Sequence, residues 1–108
     1  MMTRGLLLGC LLLTAAAAAE DGYVSGSDLL EWCESEGFAN GFCYGYTTAV
    51  TEMALGSSDD ICFPEQIGRE QLVEVILAYL RRHPQQSNEL AYALVIRSFR
   101  EAWPCEPE

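Results

Sequence analysis

Apart from an apolar run at the N-terminus, the hydrophobic positions fall into four blocks at helical spacing. Polar stretches bearing glycine or proline separate them. Leu29, Trp32 and Cys33 lie three and four apart and predict a first helix, with Glu31, Glu34 and Glu36 turned to solvent. Ser25 and Asp28 have capping-box spacing at its start, and Gly37 is expected to end it. A second helix is predicted from about 38–40, stopping at Gly56. Phe42, Tyr46, Ala49, Val50 and Met53 share its stripe, while Thr47 and Thr51 fall on another side. Gly41 and Gly45 each cost this helix about 1 kcal/mol against alanine. A neighbouring backbone is therefore expected to pack closely against them and offset that cost.

The third helix is predicted from 67 or 68 to Arg82. Leu72, Val73, Ile76, Leu77 and Leu80 form its apolar stripe, and Glu70, Glu74, Ala78 and Arg81 lie opposite. His83-Pro84 closes it, with basic residues at the negative end of the helix dipole. In the fourth helix Ser87 or Asn88 is the expected cap, with Glu89 in the first turn. Tyr92, Ile96, Phe99 and Trp103 form a stripe, and Leu90, Ala91, Leu94 and Val95 add apolar surface on further sides. Such a helix is central or part of a dimer interface. No strand alternation or internal repeat appears, so the fold class is all-α, a small bundle of four main helices.

The N-terminal run changes the picture of where the domain begins. Arg4, the apolar stretch Leu6 to Leu13 and the small residues Ala15 to Ala19 read as a cleavable signal peptide over 1–19, leaving a helical domain over 20–108. The apolar run is too short to span a membrane. Leu7-Leu8-Gly9-Cys10 also has the look of a lipoprotein box, but the better cleavage site follows Ala19. The mature domain of 89 residues has a core of marginal size. Its four cysteines, Cys33, Cys43, Cys62 and Cys105, point to two disulfides in an oxidising compartment. Three pairings are open. Antiparallel helix packing favours Cys33–Cys43 across the first turn and Cys62–Cys105 across the ends of the third and fourth helices.

Charge narrows the function. Removal of residues 1–19 takes away Arg4 and moves the net charge from −10 to −11, with no lysine anywhere. That balance argues against nucleic acid and anionic membrane surfaces as partners and suits a basic protein, although it also serves solubility. No catalytic constellation stands out. His83, the single histidine, sits in a helix-ending His-Pro, the cysteine spacings do not suit zinc, and no phosphate loop is present. No cofactor or metal is expected, and the chain does not read as an enzyme. The polar loop Ser57, Ser58, Asp59 and Asp60, held by Cys62, is the candidate partner-binding loop, with the turn His83 to Asn88 as a second candidate.

A set of ordered motifs adds a family likeness. Cys43-Tyr44-Gly45-Tyr46 leads a helix, Cys62-Phe63-Pro64 follows its loop, Gln71-Leu72 opens the next helix, His83-Pro84 ends it, and Trp103-Pro104-Cys105 closes the domain. From Leu29 to Cys105 the chain resembles the Rap/Tai-type immunity proteins of bacterial type VI secretion. It departs from them at Ala49, where the family often has glycine. The resemblance implies a periplasmic, all-helical homodimer without enzymatic activity. It also implies a partner: a cognate secreted peptidoglycan amidase or related cell-wall hydrolase, whose active site the protein occludes. A small acidic periplasmic structural or acid-stress chaperone-like protein is the alternative, against which the absence of lysine counts.

Overall fold

The computed structural model describes residues 22–106. The expected signal peptide and Cys10 lie outside the described residues. Helix α1 is Gly26–Glu34, α2 is Phe38–Ser57, α3 is Arg69–Arg82 and α4 is Ala91–Ala102, with a single 3-10 turn at Pro84–Gln86 between the last two. Among the described residues the only β pairing is two isolated antiparallel bridges, Ser25 with Leu90 and Ile61 with Pro104. The fold is thus the all-α, four-helix, twice-stapled domain expected.

Local chemistry sets most helix ends. The Ser25 hydroxyl accepts from the Asp28 amide, and an Asp28 carboxylate oxygen accepts from the Ser25 amide, a complete capping box for α1. The helix ends at Glu34, three residues before the expected stop. Gly37 instead starts α2, in the left-handed region at φ 72°. The Asn40 amide reaches back to the Cys33 carbonyl at 3.4 Å, satisfying an orphan acceptor at the end of α1. Gly68 caps α3 through its backbone alone: its amide donates to Gln71 Oε1 at 3.0 Å. His83 ends α3 as predicted, its ring stacked on Tyr79 with centroids 4.2 Å apart.

The start of α4 differs from expectation. Ser87, Asn88 and Glu89 do not begin the helix, whose cap position is Leu90. The segment is used instead to hold α1. The Gly26 amide donates to the Glu89 carbonyl, the Ser27 amide to the Ser87 carbonyl, and the Ala91 amide to the Val24 carbonyl. Gly26 makes this seating possible, because a Cβ there would stand 2.5 Å from Leu94 Cδ1 and 3.2 Å from the Ser87 carbonyl oxygen.

α4 packs against all three other helices. Its Leu94, Val95 and Phe99 are essentially inaccessible and meet Leu29, Ile76 and Leu72 in one core cluster. Tyr92, expected on the apolar stripe, is partly exposed. The α3 stripe is buried as predicted, with Tyr79 joining it and Leu77 only half-buried.

The largest correction concerns the rotation of α2. Its buried residues are Cys43, Thr47, Val50, Thr51 and Ala54, whereas Phe42, Ala49 and Met53 face outward. The Cys43 disulfide to α1 fixes the rotation. With Cys43 inward, residues four and eight further along must follow it inward, and these are Thr47 and Thr51. Burial of Thr51 is offset by its hydroxyl donating to the Thr47 carbonyl at 2.7 Å, while Thr47 Oγ1 is buried without a partner among the described residues. Among the described residues the close packing expected at Gly41 and Gly45 is absent: a methyl at either would meet nothing within 4 Å.

Candidate interaction surfaces

The two disulfides are Cys33–Cys43 and Cys62–Cys105, with Cα–Cα distances of 4.9 and 5.0 Å. The first ties α1 to α2 across their turn and is buried. The second joins the entry to α3 with the exit of α4. There the Cys62 amide donates to the Trp103 carbonyl at 2.8 Å, and Ile61 bridges to Pro104. Behind this junction Phe63, Phe99 and Trp103 form an aromatic cluster with centroids 5.1–5.7 Å apart.

This junction positions the acidic loop. Ser57 is the last residue of α2, Ser58 caps it, and Asp59 and Asp60 follow in the open. Asp60 is engaged by Arg100 at 2.7 Å. Asp59 has no basic partner among the described residues. Its carbonyl lies 3.6 Å from Cys105 Sγ, a packing contact, since a disulfide sulfur carries no proton to donate. Leu55 is exposed one turn before the loop. The loop is therefore short, tethered at both ends and presents one unpaired carboxylate beside an exposed leucine.

The second candidate, the turn His83 to Asn88, is equally well held. Gln86 Oε1 accepts from the Tyr79 hydroxyl at 2.9 Å and from Arg97 at 3.2 Å. A cleft of about 300 Å³ opens beside the turn, with Leu30, Leu80, His83 and Pro84 among its walls and Arg81 at its edge. Arg81 is paired with Glu34 at 3.1 Å across the α1–α3 boundary. The cleft places His83 and Ser87 in the same wall, and neither hydroxyl nor imidazole is hydrogen-bonded to the other. The described residues contain no cluster of His, Cys, Asp and Glu able to hold a metal ion. None of their helices is long and apolar enough to cross a membrane.

A third surface was not anticipated from sequence as a surface at all: the outward side of α2. Phe38 stacks edge-on against Phe42 at 5.3 Å, and Phe42 lies 5.2 Å from Trp32, which in turn meets Tyr46 at 6.4 Å. Burial pushes the Tyr46 phenol above its ordinary pKa, against a smaller downward pull from a hydrogen bond with the Tyr92 backbone, and the neighbouring Tyr92 phenol adds the least, upward. Arg69 flanks the other edge, near Gly45, Ala49 and Glu52. Four of the five described arginines are paired, with Glu34, Glu101, Glu89 and Asp60. Arg69 has no carboxylate within pairing distance among the described residues.

These features define a small disulfide-stapled helical domain with a tethered acidic loop and an exposed apolar helix face. The family model described as Rap1a immunity proteins matches residues 25–105, from the α1 cap to the last disulfide cysteine, and the chain belongs to that family. No curated protein and no solved structure matches the chain. Family membership makes this an immunity protein, whose task is to bind a cognate effector.

Proposed function

We propose that the chain is exported to the periplasm, loses residues 1–19, and there neutralises a peptidoglycan-hydrolysing effector of type VI secretion. As a homodimer it binds the effector and occludes its active site. The family match over residues 25–105 carries this reading. The distribution of charge supports it. Four of the five described arginines are spent on ion pairs, and Glu31, Glu36, Asp59, Glu65, Glu70 and Glu74 are left without basic partners among the described residues. An acidic surface steers a basic partner toward it, and an enzyme that works on an anionic cell-wall polymer is commonly basic. The loop Ser57, Ser58, Asp59 and Asp60 is the contact we favour, because it is tethered and presents Asp59 free.

The test is co-expression with any cell-wall hydrolase encoded beside this gene, followed by co-purification and a cell-wall digestion assay. A complex that suppresses digestion is the expected outcome, with Asp59→Arg weakening it. Failure of the purified chain to bind or inhibit that hydrolase would sink the reading. Full inhibition by Asp59→Arg would remove the loop from it.

A further inference from the structure

The turn between α1 and α2 is closed by a disulfide and carries its aromatic residues outward. Cys33 and Cys43 are bonded across a sequence separation of 10, and the Asn40 side-chain amide holds the Cys33 carbonyl at 3.4 Å. On this pinned tip Phe38 and Phe42 stand 86% and 49% exposed, edge to face with centroids 5.3 Å apart. Beside them is a notch of about 310 Å³ lined by Gly37, Phe38, Gly41 and Phe42. Its floor is open because both glycines lack a side chain, and a Cβ at either would meet nothing within 4 Å. Rings held in water on a fixed turn are the material of a recognition surface.

We propose that this notch takes an arginine side chain of a basic protein partner, its guanidinium lying on the Phe38 ring and its fork turned to the Glu36 carboxylate. This rests on the immunity reading above, the partner being the effector, and it adds a contact separate from the acidic loop. The 20 residues of α2 hold the two about 30 Å apart.

Charge fixes the sign of the occupant. Between Glu31 and Phe42 the chain has Glu31, Glu34 and Glu36 and no basic residue. Glu34 is paired with Arg81. Glu31 and Glu36 are exposed without basic partners among the described residues, and Glu36 directly precedes Gly37 in the notch. Arg69 lies in a different recess, with Tyr44, Gly45 and Glu52. The positive end of the α2 dipole meets the negative end of α1 across a turn of three residues. The backbone therefore adds little net field, and the carboxylates decide. Among cations the rings select arginine. A guanidinium is planar and more weakly hydrated than an ammonium, and it stacks on an aromatic face while bonding a carboxylate. An aliphatic side chain would use the rings and leave Glu36 unpaired. Because the tip is already pinned, little freedom is lost on binding.

Two measurements on the oxidised mature chain test this. The first needs no effector: heteronuclear NMR during titration with a blocked tri-arginine peptide. The Gly37 and Gly41 amides are expected to shift, and the arginine δ-methylene protons to move upfield in the ring current of Phe38. Both effects should vanish in Phe38→Leu, which keeps apolar bulk, and in Gly41→Leu, which fills the notch and has room for its Cβ in the free chain. Shifts spread over the acidic surface with Gly37 and Gly41 unmoved, or shifts unaltered by either substitution, overturn the proposal. The second is binding to any cell-wall hydrolase encoded beside this gene. Phe38→Leu should raise Kd roughly three- to thirtyfold and Gly41→Leu at least about tenfold, both with unchanged circular dichroism. A hydrolase bound equally well by wild type and both variants overturns the proposal and leaves the immunity reading standing. A tri-arginine peptide seated in the notch, with no hydrolase bound by the wild type, overturns the immunity reading alone. A self-associated wild type that Phe38→Leu dissociates in sedimentation gives the notch to a second copy and also overturns the proposal.

Discussion

Replacing Gly26 by alanine tests whether α1 is seated as described. The new Cβ would lie 2.5 Å from Leu94 Cδ1, 3.2 Å from the Ser87 carbonyl oxygen and 3.4 Å from Ser87 Cα. Leu94 is 1% exposed at the centre of α4, so its methyl can move only by displacing close-packed neighbours. Ser87 is backbone, tied to α1 by the Ser27 amide. Overpacking of this kind costs about 1–3 kcal/mol. The helix-propensity gain of alanine over glycine is below about 1 kcal/mol and is smaller in the first turn, so destabilisation wins. For a domain of this size that is a fall in Tm of roughly 4–20 °C. Urea and thermal unfolding of the oxidised mature chain would measure it, with an unchanged denaturant slope showing that the same surface unfolds. Leu94→Ala relieves the clash at its own cost, so the double mutant should lose at least about 1 kcal/mol less than the sum of the single changes. A neutral or stabilising Gly26→Ala, with additive double-mutant energies, would refute the close approach.

Three further outcomes follow from particular residues. Removing the Cys62–Cys105 link by paired alanine substitutions frees a loop with sequence separation 43 and should cost about 4 kcal/mol in the chain-entropy account; a loss below about 1 kcal/mol in denaturant unfolding would contradict it. Thr47 Oγ1 is buried with no hydrogen-bond partner among the described residues, so Thr47→Val should stabilise the domain by about 1 kcal/mol or more, whereas a lower urea midpoint would mean that the hydroxyl is satisfied. Tyr46 has a raised pKa in the folded state, so above its ordinary value of 10.0 the unfolded chain gives up its proton first. Stability contributed by Tyr46 should therefore fall as pH rises from 10.0 toward the folded value; alkaline unfolding curves that coincide for wild type and Tyr46→Phe would count against it.

Much of the architecture was legible where a single chemical preference dominates. The Ser25 and Asp28 box, the His83-Pro84 stop and the α3 stripe each have one sensible local reading, and the structure contains all three. The disulfide pairing was legible for a geometric reason, since antiparallel neighbours bring together the ends that bear the cysteines. The rotation of α2 was not legible, because the helix is apolar on both sides and periodicity alone favours no single face. The Cys33–Cys43 link carried the missing information: a cysteine bonded to α1 must face α1. The start of α4 misled because Ser87, Asn88 and Glu89 have the composition of a cap. Their backbone is engaged by the N-terminal end of α1, a long-range competitor that local propensity does not see. Of the candidate site, the loop from Ser57 to Asp60 was legible as a tethered polar turn. The outward face of α2 was hidden behind the expectation that glycines at helical spacing pack inside their own chain.

The charge distribution makes little sense as a stabilising device. All four ion pairs join half-exposed groups, and pairs of that kind contribute about 0–1 kcal/mol each. The surplus carboxylates repel one another in the compact state, so the net charge works against folding. What the pairs do is join elements: Arg81 links α3 to α1, Arg82 links α3 to α4 through Glu101, and Arg100 links α4 to Asp60. The two disulfides, at about 3–4 kcal/mol each, are then the terms large enough to offset the repulsion. A domain that relies on covalent staples to tolerate its own charge can keep carboxylates where association with a basic protein uses them.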